Sequence, residues 1–141
     1  MLATTCDYRL MVSENARISL NEINFGSTVF ASSVDILRFC VGSKNAQNIL
    51  YSGAMFSAED AKQLGLIDKI TSQDELMDQA QDIAEDFARK DNAAFRSMKH
   101  LLRKPIADEM IQREKTSIRE FIDIWYSEKT WINLQEIKIH S

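Results

Sequence analysis

The residue types best suited to chemistry lie near the start of the chain, on either side of Glu22. Residues 21–26 read Asn-Glu-Ile-Asn-Phe-Gly, so this carboxylate has the apolar neighbours Leu20, Ile23 and Phe25. Burial among apolar side chains disfavours the charged form of a carboxyl group, which makes such a group a usable proton carrier near neutral pH. We therefore take Glu22 as a candidate general acid–base. The other interpretation is an exposed acid on a turn, or an N-cap partner of the helix that follows.

Two short strands and a turn are predicted to position this carboxylate. Residues 6–12, Cys-Asp-Tyr-Arg-Leu-Met-Val, have the composition of a strand, and a polar turn follows over residues 13–16. A second strand is predicted over residues 17–20, immediately before Glu22. The carboxylate then sits where an extended segment gives way to helices.

Helices are predicted for most of the remaining chain. The first runs over residues 32–41 and a second follows it, whereas the third begins at Ser57, whose Ser-Ala-Glu-Asp sequence outlines a capping box. A short strand over residues 66–70 follows the third helix. The glycines that are predicted to end these three helices are Gly42, Gly53 and Gly65.

The second half of the chain is predicted to consist of amphipathic helices over residues 74–90, 92–103 and 106–126, with a final helix after them. Pro105 lacks a backbone N–H and is predicted to separate two of these helices. The apolar side chains predicted to be buried between residues 92 and 103 are Phe95, Met98, Leu101 and Leu102. The last two helices carry more large apolar surface than a lone terminal hairpin can cover. Intrachain core and subunit contact are both open interpretations of that surface.

Composition excludes several functional classes. The 141 residues carry a net charge of −4 without a basic block, so nucleic acid is not an expected partner. No apolar run has the length of a membrane span, and no membrane association is expected. Cys6 and Cys40 are interpreted as buried thiols of a reducing compartment, which predicts a cytoplasmic protein. His100 and His140 have no companion cysteine at ligand spacing, so no metal site is expected.

Two motifs resemble a known family, the crotonases or enoyl-CoA hydratase/isomerase superfamily. The first combines Cys-Asp-Tyr-Arg at residues 6–9 with the Asn-Glu pair and Gly26 downstream, and the second is Ser-Ala-Glu-Asp-Ala-Lys-Gln-Leu-Gly-Leu-Ile-Asp-Lys-Ile at residues 57–70. The resemblance implies an α+β, mainly helical fold, the C-terminal part of the family's spiral fold. Residues 1–70 would be the end of the spiral core, and residues 71–141 a helical oligomerisation region for a homotrimer or hexamer.

The resemblance covers only the C-terminal half of the family's sequence, so we expect the chain to be a fragment that is inactive when isolated. In the family, two backbone N–H groups stabilise an enolate oxygen. Both are expected in segments that precede Met1. The intact mass of the protein as its source makes it would test this expectation.

The resemblance also implies the reaction. Hydratases of the family use two glutamates, and alignment places Met1 where the first one stands. The double-bond isomerases use one, which Glu22 matches. The hydratases' loop ending in Gly-Gly-Thr-Gln-Arg is replaced here by the residues 27–34, in which Val29 and Phe30 are candidates to line an acyl pocket, the other interpretation being helix-start packing.

Lys99 and Arg103 are candidate partners for the phosphates of coenzyme A, because they are four residues apart on one helical face. The other interpretation is that both side chains are simply solvated, as most such pairs are. The function implied is that of a Δ3,Δ2-enoyl-CoA isomerase of fatty-acid metabolism, with the coenzyme A thioester as substrate and neither metal nor redox cofactor. The alternatives are an enoyl-CoA hydratase or another acyl-CoA enzyme of the family, and a non-catalytic helical assembly module.

Overall fold

The computed structural model describes residues 1–137, which form five α-helices, two short strands and two 3₁₀ helices. The 3₁₀ helices cover Leu2–Thr5 and Glu22–Phe25, and the strands are β1 (Leu10–Val12) and β2 (Lys69–Thr71). The α-helices are α1 (Ala31–Ser52), α2 (Ala58–Leu64), α3 (Leu76–Ala88), α4 (Asn92–Trp125) and α5 (Glu128–Glu136). The predicted class, α+β and mainly helical, is confirmed. His140 lies outside the described residues.

The two strands pair in parallel, with Leu10 opposite Lys69 and Val12 opposite Thr71. Parallel neighbours need a long crossover between them, and helices α1 and α2 occupy that connection. Arg9, which precedes β1, binds Asp68, which precedes β2. Its backbone N–H donates to Asp68 Oδ2 at 2.8 Å, and its guanidinium lies 3.0 Å from the same carboxylate oxygen. The ion pair therefore sets the register at the point where the strands begin.

Glycines end the helices where the sequence predicts. Gly53 and Gly65 follow α1 and α2 with φ of +55° and +81°, a left-handed conformation that glycine adopts without steric cost. The hydroxyl of Ser57 accepts the N–H of Asp60, which confirms the predicted cap of α2. Gly42 has φ +75° and ψ 162°, so α1 consists of two helical stretches joined at this residue. The predicted break at Gly42 is confirmed.

The core lies between α1, α2 and the segments around the two strands. Leu37 and Ile49 of α1 are almost completely buried and belong to this core. Helix α4 packs against α1, and α3 packs against β1. The buried cluster consists of Leu20, Leu37, Ala46, Ile49, Ala58, Ala61, Leu66 and Ile67.

The strands are shorter than predicted. Residues 17–20 were expected to form a strand, but in this segment a single antiparallel bridge joins Ile18 to Phe56. Strand β1 begins at Leu10 rather than residue 6, and β2 is shifted by a few residues towards Thr71. Ladder pairing extends only as far as a partner strand does, and these two segments face each other over three residues.

The predicted break at Pro105 is wrong, because this residue lies inside α4, a continuous helix of 34 residues. Proline removes one backbone hydrogen bond from a helix, a local cost that packing of α4 along α1 outweighs. The predicted burial of Met98, Leu101 and Leu102 is also wrong, since their exposed fractions are 69%, 71% and 61%. This part of α4 directs Lys99 and Arg103 towards the chain start, so those apolar residues lie on another face.

Candidate active site

Glu22 is the first residue of the 3₁₀ helix Glu22–Phe25 and follows buried Leu20. Its side chain is half-buried, and the Oε2 atom is inaccessible to solvent and has no hydrogen-bond partner among residues 1–137. Buried polar atoms are usually paired, because an unpaired one loses its hydration without compensation. Among the described residues this oxygen therefore has an unused acceptor site, which a general base requires.

The backbone after Glu22 closes into a tight turn. Gly26 has φ +79° and ψ 18°, and its N–H donates towards the carbonyl oxygens of Glu22 and Ile23. The N–H of Ser27 donates to the Glu22 carbonyl at 3.0 Å. The side chain of Asn24 donates to the Gly53 carbonyl at 2.8 Å, which ties the turn to the end of α1. The carboxylate is therefore carried on a backbone with few remaining degrees of freedom.

Helix α5 and the end of α4 hold the same turn from the other side. Thr130 Oγ1 lies 2.9 Å from the Gly26 carbonyl oxygen, and Asn133 donates to the Phe25 carbonyl at 3.2 Å. The ring of Phe25 packs edge-on against Trp125, with 6.1 Å between ring centroids. The candidate acid–base thus rests on the C-terminal helices of its own chain.

The predicted acyl-pocket residues begin α1. Phe30 is 40% exposed and its ring stacks on Phe121 of α4 at a centroid distance of 3.9 Å, while Val29 is half-buried. In the first turn of α1, the N–H of Ser32 donates to the carboxylate of Glu114 at 3.0 Å, so α4 supplies a cap that α1 lacks locally. Helix-start packing accounts for these contacts, and acyl binding by Val29 and Phe30 stays a prediction.

The predicted phosphate partners both bind Asp7. Lys99 forms an ion pair with its carboxylate, and Arg103 lies 3.0 Å from it. Arg103 also donates to the carbonyl oxygens of Thr5 and Cys6 at 2.9 Å and 3.1 Å. These contacts fix the chain start onto α4. A role with coenzyme A phosphates stays a prediction, and it fits Lys99 better because this side chain is 45% exposed against 25% for Arg103.

The two cysteines differ in environment. Cys6 is exposed, which corrects the prediction that it is buried; it ends a short 3₁₀ helix, and its carbonyl faces the guanidinium of Arg103. Cys40 is partly buried, and burial raises the pKa of its thiol. Its Sγ donates to the Thr4 carbonyl at 3.4 Å. A protonated, hydrogen-bonded thiol is poorly nucleophilic, so Cys40 has a packing role.

Two cavities lie beside α1, one at its start and one near Gly42. The more apolar one, of about 280 Å³, is lined by Met1, Leu2, Thr5, Ser32, Ser33, Ile36 and Met110. The second, of about 210 Å³, includes Asp35, which is buried and paired with Arg113. Burial raises the pKa of the Asp35 carboxyl, although Arg113 opposes that effect. Glu22 lines neither cavity. Among residues 1–137 no group of three metal-ligating side chains lies close enough together to hold an ion.

The residues that sequence reasoning missed are Glu114, Thr130 and Asn133. Each contacts residues 25–32, which follow Glu22, from more than eighty residues away along the chain. Their local sequence gives no sign of this role, because Ser127 and Thr130 fit an ordinary helix start. Gly26 was the available signal, since a glycine after a short turn indicates a backbone approached closely by another element.

Comparison with known proteins places this arrangement in context. A family model described as enoyl-CoA hydratase/isomerase matches residues 1–132. The chain is 27% identical over 123 residues to the mitochondrial enoyl-CoA delta isomerase 1 of Mus musculus, a match that covers 86% of this chain and 42% of the mouse protein. It is 31% identical over 98 residues to crotonyl-CoA hydratase of Syntrophomonas wolfei, covering 70% of this chain and 37% of that protein. The chain therefore spans about two fifths of the length of these two relatives.

The fold is also found among solved structures. The crystal structure of human mitochondrial delta3-delta2-enoyl-CoA isomerase superposes with a TM-score of 0.87 at 23% sequence identity, and the match covers 95% of this chain and 52% of the human one. This likeness confirms the predicted fold, a part of the crotonase fold. Among residues 1–137, none of the helices combines the length and apolar character that crossing a bilayer requires.

Proposed function

Since the chain belongs to the enoyl-CoA hydratase/isomerase family, we propose that Glu22 is the acid–base of an enoyl-CoA isomerase. Glu22 removes a proton from C2 of a 3-enoyl-CoA thioester. The electrons of the broken C–H bond move into a dienolate, whose negative charge lies on the thioester oxygen. The same carboxyl group then returns the proton at C4, so that the double bond lies between C2 and C3. No atom is gained or lost, and the reaction consumes neither metal nor redox cofactor.

The observation that carries this proposal is the Oε2 atom of Glu22, which is buried without a hydrogen-bond partner among residues 1–137. An acid on a surface turn would be solvated, and an N-cap would have a backbone N–H to accept. The missing backbone donor argues against an N-cap, and the burial of Oε2 argues against a fully solvated acid. A single base is not sufficient for this carbon acid, however. Donors to the enolate oxygen, which contribute about 3 kcal/mol each in related chemistry, are also required.

Two features favour isomerisation over hydration. Met1 stands where the family's hydratases place a second glutamate, and a thioether cannot activate water. Residues 27–34 also lack the Gly-Gly, Gln and Arg of the hydratase loop. Hydration is the second candidate, favoured by the hydratases among the relatives that the chain resembles. A non-catalytic assembly module is the third, and the unpaired Glu22 oxygen speaks against it.

The remaining assignments belong to the same proposal. Val29 and Phe30 lie close after Glu22 in the chain, and the exposed part of the Phe30 ring is available to an acyl chain. Lys99 is the better placed partner for a coenzyme A phosphate, with Arg103 holding Asp7 beside it. The apolar exposed residues Ile118, Ile122 and Trp131 support assembly of the protein as a homotrimer or hexamer. A cytoplasmic location stays part of the proposal.

Parallel incubations with a 3-enoyl-CoA and a 2-enoyl-CoA test the reaction type. The protein as its source makes it is incubated with each, and the products are identified by mass spectrometry and by the absorbance of the conjugated thioester. Isomerisation converts the 3-enoyl compound at constant mass. If water is added to the 2-enoyl compound faster than the 3-enoyl compound is isomerised, the protein is a hydratase and not an isomerase. Turnover of neither compound would reject the proposal.

A further inference from the structure

We infer that Thr130 is a positioning residue for Glu22, acting through the backbone of the turn that follows the carboxylate. This inference rests on the proposed function of Glu22. Thr130 belongs to α5, and its side-chain oxygen reaches the Gly26 carbonyl across 104 positions of sequence. It is a buried polar residue that the reaction itself does not use.

The coupling runs through one peptide unit. The carbonyl of Gly26 and the N–H of Ser27 belong to the same planar group, whose atoms move together. The hydroxyl of Thr130 lies 2.9 Å from the Gly26 carbonyl oxygen, and the N–H of Ser27 donates to the Glu22 carbonyl at 3.0 Å. The hydroxyl of α5 and the backbone of the candidate base are therefore separated by a single rigid group. Without the hydroxyl, the Gly26–Ser27 peptide group can rotate, and the backbone of Glu22 can move with it.

The Thr130 hydroxyl is itself strongly constrained. The residue is completely buried, at 0% exposure, and Oγ1 accepts a hydrogen bond from Ser127 Oγ at 3.0 Å. Its one proton is shared between the carbonyl oxygens of Gly26 and Ile124, both at 2.9 Å. These bonds fix the orientation of the hydroxyl. It is therefore suited to hold a backbone group in place and not to exchange protons with substrate.

Asn133 provides a second attachment one helical turn further along α5. It donates to the Phe25 carbonyl at 3.2 Å, and its Nδ2 atom would lie 3.1 Å from a Cβ atom at Gly26. Glycine at position 26 thus permits both the left-handed backbone and the close approach of α5. The turn has two consecutive carbonyl groups bound by the same helix, which makes accidental proximity of Thr130 a poor explanation.

A positioning residue should affect the rate more than substrate binding. Misplacing a catalytic group by about 1 Å costs up to about a hundredfold in rate. We expect Thr130→Val, which keeps the shape and removes the hydroxyl, to lower kcat for 3-enoyl-CoA by about tenfold or more with KM changed less than about twofold. Thr130→Ser, which keeps the hydroxyl, should restore most of kcat. Asn133→Ala should give a smaller loss, and Gln135→Ala, an exposed change on the same helix, should give none.

The experiment measures kcat and KM for these four variants in the protein as its source makes it, together with hydrogen exchange of the amides of residues 22–27. Faster exchange and lower kcat in Thr130→Val and Asn133→Ala, but not in Thr130→Ser or Gln135→Ala, would support the inference. A kcat for Thr130→Val within about twofold of the unaltered protein would overturn it. If Thr130→Val does not fold, a kcat and an exchange rate unchanged in Asn133→Ala would overturn it instead.

Failure of this inference is distinguishable from failure of the proposed function by including Glu22→Gln in the same assay. An inactive Glu22→Gln beside a fully active Thr130→Val rejects the positioning role and leaves the catalytic role of Glu22 intact. A fully active Glu22→Gln rejects the proposed function, and with it any positioning role of Thr130 in that function.

Discussion

Arg9 and Asp68 join the two sequence motifs by which the family is recognised. The residues are 59 positions apart, yet the backbone N–H of Arg9 donates to the Asp68 carboxylate at 2.8 Å and the backbone N–H of Asp68 donates to the Arg9 carbonyl at 2.9 Å. The guanidinium adds an ion pair at 3.0 Å. The motif that precedes Glu22 is thereby held against the segment between α2 and β2.

Removing the charge of Asp68 should destabilise the protein. The side chains of Arg9 and Asp68 are 12% and 31% exposed, so the pair is screened less than a surface pair. We expect Asp68→Asn to lower the free energy of unfolding by about 1.5 kcal/mol, measured by urea denaturation. The matched control is Asp86→Asn, which breaks an ion pair with Lys90 whose members are 59% and 54% exposed. That change should cost less than about 0.5 kcal/mol, and equal costs at the two sites would contradict the account.

The buried carboxyl of Asp35 predicts a pH dependence of stability. Burial raises its pKa above the ordinary value of 3.8, against the attraction of Arg113 and Arg38 and with the repulsion of Glu109. Below pH 3.8 the group is protonated in both states. Between that value and the raised pKa the folded protein keeps a proton that the unfolded chain has lost, so stability falls as pH rises through this window.

Urea denaturation of the unaltered protein and of Asp35→Asn across this pH range checks the sign. The asparagine variant cannot titrate at this position. We expect the stability of the unaltered protein, relative to that of Asp35→Asn, to decrease as pH rises from 3.8 and then to level off. A relative stability that increases with pH would show that the ion pair with Arg113 outweighs burial.

Gly26→Ala should affect both stability and rate. The residue has φ +79°, and an added Cβ would lie 3.1 Å from Asn133 Nδ2. We expect a loss of about 1 kcal/mol from the left-handed backbone and about 1 kcal/mol more from the displaced Asn133 hydrogen bond. The control is Gly65→Ala, at φ +81° with a nearest contact of 3.6 Å, which should show the backbone cost alone. Thermal denaturation compares the two, and Gly26→Ala should also lower kcat. Equal stability losses and an unchanged kcat would contradict this expectation.

Local signals in the sequence predicted the ends of the helices well. Gly53, Gly65 and the Ser57 cap act through the conformation of their own backbone, so their neighbours are enough to identify them. Glu22 became a candidate because apolar residues lie beside it in sequence, and its catalytic role stays a prediction. The motifs supplied the rest of that assignment by resemblance.

Contacts between distant segments could not be predicted in this way. The approach of Thr130 to Gly26 depends on how α5 packs, and nothing in the residues around Thr130 specifies that partner. Pro105 is a case in which a local signal gave a wrong prediction. Its local effect predicts a break, but the packing of α4 along α1 overrides it. The ion pair of Lys99 with Asp7, 92 positions away, is likewise not specified by the local sequence of α4.

The measurement that tests the central claim most directly is the turnover of 3-enoyl-CoA by Glu22→Gln in the protein as its source makes it. Loss of a general acid–base should lower kcat by about a thousandfold. The free energy of unfolding should be unchanged or higher, because a buried, unpaired carboxylate oxygen is replaced by a neutral amide. Glu59→Gln, an exposed change in α2, should retain full activity. A Glu22→Gln protein with the kcat of the unaltered protein would contradict the account.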